Sequence, residues 1–512
     1  TANNISQERA EKIKMLTVDY TEATSFVNVE ISNFDVEVLQ SMQQAKDFEA
    51  FSTILKSIIR NKKHFLSPIE EKLLASMQSF SVEFKNIFTM FNNADIKFDD
   101  VEDENGEKIK MSHGTYALLL QNNLQRVRRD AFNSNYKAFE SMINTLTANY
   151  SGNVKKNCMI AKARKFKSAL DQELYGEVVD VKVYNALINN VKGSQHLVHK
   201  YVALRKKALG LDELHMYDMY VPLVKEIELK LDYDKAYSLV REALKPLGEE
   251  YISLLDEAKE SRWIDVEETE NKRSGAYSWS TYDAHPFVLL NYKETPHDIF
   301  TIAHEMGHAL HSYYSHKSQC YEKASYEIIL AEIASTVNEV LVLKHLIKSA
   351  EGDNKKFLLS YYLDMFRTTI FRQTMFAEFE KFAHQTIEEG KPITKEVLNN
   401  YYYNLNLEYY GDAVEHDDYI KLEWARIPHF YTAFYVYKYA TGLTTAVSVA
   451  RRILNDKSGE MLKKYKNFLS AGGSMDPLDI LSLVDIDLKT DKPYEDAFSE
   501  FAETLNELEG LL

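Results

Sequence analysis

In His304-Glu305-Met306-Gly307-His308, two imidazoles stand four residues apart with a carboxylate next to the first. On a helix that spacing leaves the two side chains about 40° apart, so His304 and His308 can offer ring nitrogens to one ion with Glu305 beside them as a base. The chemistry this predicts is a zinc site that activates water. A catalytic zinc takes three protein ligands and keeps the fourth position open, so one ligand must come from elsewhere. The metzincin arrangement would need glycine at 311 and histidine at 314, and the chain has His311 and Tyr314, which closes that route. Further on, Glu332, Ser335, Thr336 and Glu339 fall at i, i+3, i+4 and i+7, a polar stripe on an otherwise apolar segment beginning Ile328-Ile329-Leu330. That stripe predicts Glu332 as the third ligand, with Glu339 and Ser335 orienting a histidine or a carboxylate. With three ligands assigned, His311 and His316 read as packed or solvated residues.

These groups need elements to hold them. Thr295-Pro296-His297-Asp298 carries a cap, a proline at the first helical position and an acidic group three residues after the cap, predicting a helix from Pro296 to about Tyr313. Ile299, Phe300, Ile302, Ala303, Met306, Ala309 and Leu310 leave it almost no solvated face. A buried helix with His304, Glu305 and His308 on it is costly unless a metal or hydrogen bonds compensate.

The stretch His304-Glu-Met-Gly-His-Ala-Leu-His311 followed by Ala331-Glu-Ile-Ala-Ser-Thr-Val-Asn-Glu339 resembles the thimet oligopeptidase family of zinc metallopeptidases, its oligoendopeptidase F branch in particular. Arg273-Ser-Gly-Ala-Tyr-Ser278, His285-Pro-Phe-Val-Leu-Leu-Asn-Tyr292 and Trp424-Ala-Arg-Ile-Pro-His-Phe-Tyr431 agree, and the likeness runs from about Tyr20 to the C-terminus. The resemblance implies one zinc ion, short unfolded peptides as substrates, and a mainly α fold: a large helical shell around a deep catalytic cleft, with a small antiparallel sheet next to the zinc helix. It also implies that a histidine and tyrosines from the later part of the chain stand over the metal, a role carried here to His429, Tyr431, Tyr435 and Tyr437. Members of the family carry a further helical portion upstream of where Thr1 falls. The domain reading is an N-terminal helical region over 1–100 and a metallopeptidase domain over 101–512, its zinc-site core at about 270–440. Residues 287–291, a β run just before the zinc helix, are expected at a sheet edge where they pair with substrate backbone, an interior position being equally compatible.

Taken along its length, the 512-residue chain can bury a large core; length alone suggests about three domains, which one big helical enzyme can violate. No apolar run is long enough to span a membrane, and the first ten residues carry no apolar signal segment. A formal net charge of −16 argues against a nucleic-acid partner. Two cysteines, Cys158 and Cys320, imply a reducing compartment without a disulfide framework, read as the cytoplasm. Residues 1 to 95 read as helical, with a second capped start at Ser67-Pro68-Ile69-Glu70. Alternation over 96–111 around Asn105-Gly106 predicts a hairpin. The basic clusters Arg126-Val-Arg-Arg129 and Lys155-Lys156 read as solvated faces, and the aromatic segment Tyr361–Phe376 reads as core. Ten of the 33 tyrosines crowd into residues 401–439.

Three functions fit. The first is an endopeptidase in which Glu305 takes a proton from the attacking water and passes it to the leaving amine. The second is a zinc carboxypeptidase or dipeptidyl carboxypeptidase, which needs a cation for the substrate's terminal carboxylate; Arg367, Arg372 and Arg426 are available. The third is a peptide-binding protein without turnover, against which the intact His304, Glu305, His308 and Glu332 speak.

Overall fold

Capped starts become helices where the residues place them. The Glu70 carboxylate accepts from the Ser67 N–H at 2.9 Å while the Ser67 hydroxyl caps the Glu70 N–H, and the helix runs Pro68–Ser81. The same reciprocal box joins Thr295 and Asp298 and starts the helix Pro296–Ser318, about a turn longer than its apolar pattern suggested. The computed structural model describes residues 3–224 and 230–512 and is mainly helical with two small sheets. Among the described residues, no helix is long and apolar enough to cross a membrane.

The chain divides into two compact units. The first comprises Thr1–Phe65, Glu228–Val342 and Arg452–Asp485 and holds the HExxH helix. In it lie β3 (Ile264–Asp265), β4 (Tyr277–Trp279) and β5 (Phe287–Leu289), in the order β3-β5-β4; β1 and β2, named below, precede them in the chain. The sheet is mixed, because β5 runs parallel to β3 and antiparallel to β4. Residues 287–289 are therefore the central strand, which corrects the edge position expected for 287–291. Its backbone pairs with Ile264–Asp265 on one side and with Tyr277–Trp279 on the other, and of its three residues Val288 is buried, at 3% exposed. The two edge strands are β3 and β4.

The second unit comprises Leu66–Ile227, Leu343–Arg451 and Ile486–Leu512. Its hairpin pairs β1 (Val101–Glu102) with β2 (Lys108–Ile109), each only two residues long. The connection is longer than an Asn-Gly pair because the Asp103 carboxylate accepts from the N–H groups of both Asn105 and Glu107 at 2.8 Å, while Gly106 takes the positive φ of 82°. The aromatic segment is two helices, Gly352–Phe366 and Arg372–Glu388, joined by a wide π turn at Arg367–Phe371. Tyr362, Phe366, Phe371 and Phe376 are buried along it, as core.

Of the basic cluster at 126–129, Arg126 and Arg129 are solvated as expected and Arg128 is not. Arg128 is 2% exposed, and its Nε and Nη2 donate to one oxygen of the equally buried Asp218 at 2.8 and 2.7 Å. The other Asp218 oxygen accepts from Gln125 and from the His215 N–H. Asp218→Ala leaves the Arg128 guanidinium buried without a countercharge, and urea unfolding of the full chain should find it less stable by roughly 3–5 kcal/mol.

Candidate metal centre

Two helices must come close for ligands 24 and 28 residues apart to meet. At Gly307 they do: a Cβ there would stand 2.5 Å from the Ser335 Cα and 2.7 Å from the Ala334 carbonyl oxygen. No side chain fits, so the glycine between the two histidines lets the helix Ile328–Ser349 lie against the HExxH helix. Asn338, fully buried, ties the pair by donating to the Ala303 carbonyl at 3.0 Å and exchanging hydrogen bonds with the Tyr251 hydroxyl.

That contact brings His304, His308 and Glu332 together. The two Nε2 atoms are 3.1 Å apart, and the Glu332 Oε2 lies 3.5 Å from one and 3.7 Å from the other. Zinc–ligand bonds of about 2.0–2.1 Å in a tetrahedron put neighbouring donors about 3.3 Å apart, so these three atoms form one face of such a site. The donor set fits zinc. Glu339 accepts from His304 Nδ1 at 2.5 Å, which directs the Nε2 lone pair of that ring inward. Ser335 donates mainly to the Glu332 carbonyl at 2.9 Å and reaches the carboxylate only at 3.5 Å. Burial works against a charge on His304, yet Glu339, Glu332 and Glu305 raise it to about 9. On His308 burial prevails, reinforced by His304, and lowers it to about 3. Three carboxylates around two imidazoles thus favour positive charge at this point.

Glu305 is placed by the sheet as well as by its helix. In β5 the Val288 N–H donates to the Trp263 carbonyl, so its partner Ser278 turns its backbone groups to the free edge of β4. The Ser278 backbone interacts there with the Glu305 carboxylate. Burial raises Glu305 to about 7, and its Oε2 is buried with no hydrogen-bond partner among the described residues. A cavity of about 420 Å³ in the same unit is lined by Glu305, Thr301, Gly275 and Asn291, and a second of about 610 Å³ follows β4 from Arg273 to Trp279. His311 is packed, 3.9 Å from the Tyr326 ring in a stack, and takes no part in the triangle.

The second unit separates the four residues assigned by resemblance. His429 and Tyr435 are half-buried with near-parallel rings 6.0 Å apart, and the Tyr439 hydroxyl is 3.3 Å from His429 Nε2. Tyr439 was not singled out; it lies four residues after Tyr435, the helical spacing that could have flagged it. Tyr431 and Tyr437 point into core instead. The Tyr431 hydroxyl accepts from Asn149 at 3.1 Å and its ring stacks on Phe88, while the Tyr437 hydroxyl donates to Glu177 at 2.7 Å. Ser278, Asn338 and Tyr251 also escaped the sequence, since each acts through a partner distant in the chain.

The family model described as Peptidase family M3 matches residues 118–500, and that described as Oligopeptidase F matches residues 30–98. Oligopeptidase PepF of Bacillus subtilis (strain 168) is 40% identical over 515 residues, covering 100% of this chain and 77% of that protein. Group B oligopeptidase PepB of Streptococcus agalactiae serotype III (strain NEM316) is 38% identical over 508 residues, covering 99% of this chain and 84% of the relative. Of solved structures, oligoendopeptidase-F from Enterococcus faecium superposes with a TM-score of 0.80 at 34% identity, covering 99% of this chain and 87% of that one. A peptidase structure from Chlamydophila abortus described as putative reaches 0.95 at 36% identity, covering 100% and 86%.

Gly307→Ala forces the two helices apart. Unfolding should report a loss of roughly 1–3 kcal/mol, and competition with a chromogenic chelator should report weaker zinc binding, by roughly 10–100-fold, because the Glu332 oxygen moves with its helix.

Proposed function

The chain belongs to peptidase family M3, in its oligopeptidase F branch, and from that premise we propose that it is a zinc-dependent endopeptidase acting on short, unfolded peptides. The observation that carries the reading is the triangle of His304, His308 and Glu332 with the unpartnered Glu305 oxygen beside it. These three side chains hold the ion. Zinc, when bound, supplies Lewis acidity for water and for the scissile carbonyl.

The chain's own residues do the rest. Glu305 Oε2, buried and free to accept, takes the proton of the attacking water, and a carboxyl raised to about 7 can return it to the departing amide nitrogen. With the Ser278 N–H engaged by Glu305, the free edge of β4 offers the Ser278 carbonyl to an extended peptide, which aligns the scissile bond without selecting side chains. By resemblance to the family we carry the role of donor to the developing oxyanion to His429 and Tyr435, each such donor being worth on the order of 10²–10³ in rate. Tyr431 and Tyr437, with hydroxyls already engaged, support the core beneath them.

Internal cleavage is favoured over removal of C-terminal residues by the state of the three arginines that the latter would need. Arg372 and Arg426 both donate to Glu423, at 2.5 and 2.9 Å, and Arg367 pairs with Asp364 at 2.8 Å. A reducing interior is the setting we infer, consistent with Cys158 and Cys320 both being free thiols.

Peptides with blocked and with free C-termini, digested with and without a chelator and followed by mass spectrometry, test the reading. Both should be cut internally, and the chelator should stop the reaction until zinc is restored. Cleavage confined to the free peptide would establish an exopeptidase. Glu305→Gln should retain zinc and lose at least roughly 10²–10⁴ of the rate; a variant as fast as the parent would remove Glu305 from the mechanism. Tyr435→Phe should lower kcat, whereas Tyr431→Phe should lower stability with kcat intact.

A further inference from the structure

Behind the arginines of the second unit lies a charge imbalance that the peptidase reading leaves unused. Arg205, Arg367, Arg372 and Arg426 converge on two carboxylates, Asp364 and Glu423. Glu423 is shared by Arg372 and Arg426 through a single oxygen, the other being taken by the Tyr402 hydroxyl. Asp364 is shared by Arg367 and Arg205. Guanidinium groups stay protonated, and Glu423 stays ionised: burial alone would raise it, but Arg372 and Arg426 bring it down to about 2. Two positive charges are left over where charge is expensive to bury.

The surplus has a place to be met. A small cavity is lined by Arg367, Arg372, Arg426 and Glu423 together with Tyr220 and Tyr410. Arg367 is 2% exposed, and its Nη1 has no hydrogen-bond partner among the described residues. The Nε and Nη2 of the same group are spent on Asp364 and on the Met219 carbonyl. Tyr410 is a neutral phenol, raised to about 12 by burial against the pull of Arg367, so its hydroxyl donates and adds no negative charge. The cavity is narrow, leaving a water-sized sphere about 10 Å³ in which to move, so one body little larger than a water fills it. A water would fill it without balancing the charge.

We propose that this cavity is a halide site, binding one chloride ion between Arg367 and Arg372 with the Tyr220 and Tyr410 hydroxyls turned toward it. Arg426, whose side chain is 25% exposed, stands where the ion enters.

The test uses the zinc-loaded full chain at constant ionic strength, with isethionate replaced stepwise by chloride or bromide. The unfolding midpoint should rise with either halide and saturate, as binding to the folded state alone requires. Crystals grown in bromide should show an anomalous peak in contact with Arg367 and Arg372. In Arg367→Gln the midpoint should no longer respond. A midpoint indifferent to the anion, a bromide peak only at the zinc or elsewhere, or an unchanged response in Arg367→Gln would each overturn the proposal. So would a peptide C-terminus in that cavity. Should the variant not fold, the bromide peak in the parent decides alone.

Discussion

Everything at the metal centre depends on how near two helices lie at one glycine. Gly307 has room for a hydrogen and nothing larger, because the backbone of Ala334 and Ser335 occupies the place of a side chain. This proximity puts the Glu332 oxygen within 3.7 Å of both histidine nitrogens, which one turn of either helix alone could not arrange. It also explains the investment in clamps between the two rods. Asn338 spans to the Ala303 carbonyl and Glu339 to His304, so register and ring orientation are set by the same surface that brings the ligands together.

The carboxylate beside the triangle is governed from another direction. Glu305 sits on the HExxH helix but is addressed by the edge of β4, and the edge exists because β5 is claimed on both sides. With β5 paired on both sides, Tyr277-Ser278-Trp279 is left at an edge of the sheet. Burial that raises Glu305 and the strand edge that can receive a peptide backbone are thus two consequences of one strand order.

In the second unit, the dominant constraint is the cost of buried charge. Arg128 pairs with Asp218, and Arg372 and Arg426 share Glu423, and in both groups a further hydrogen bond reaches the carboxylate, from Gln125 and from Tyr402. Such pairs specify which groups meet more than they add stability, and they hold the irregular segments between helices, where no repeating backbone pattern does so.

The metal centre was legible in the sequence because its information is local. A spacing of four, a capped start and a stripe at i, i+3, i+4 and i+7 are properties of single helices, and they identified His304, His308, Glu332, Glu305 and Glu339 before any contact was known. The mainly helical class was what the family resemblance implied, in agreement with the helical reading of residues 1 to 95. What depended on partners far along the chain was decided only in three dimensions. Strand order turned 287–289 from an edge into a centre, since two-residue strands such as Ile264–Asp265 carry no pattern to read. Arg128 went inside because Asp218 waits 90 residues away, and Tyr431 and Tyr437 parted from Tyr435 because Asn149 and Glu177 claim their hydroxyls. Periodicity tells a side chain which face of its own helix it occupies; only packing tells it what stands opposite.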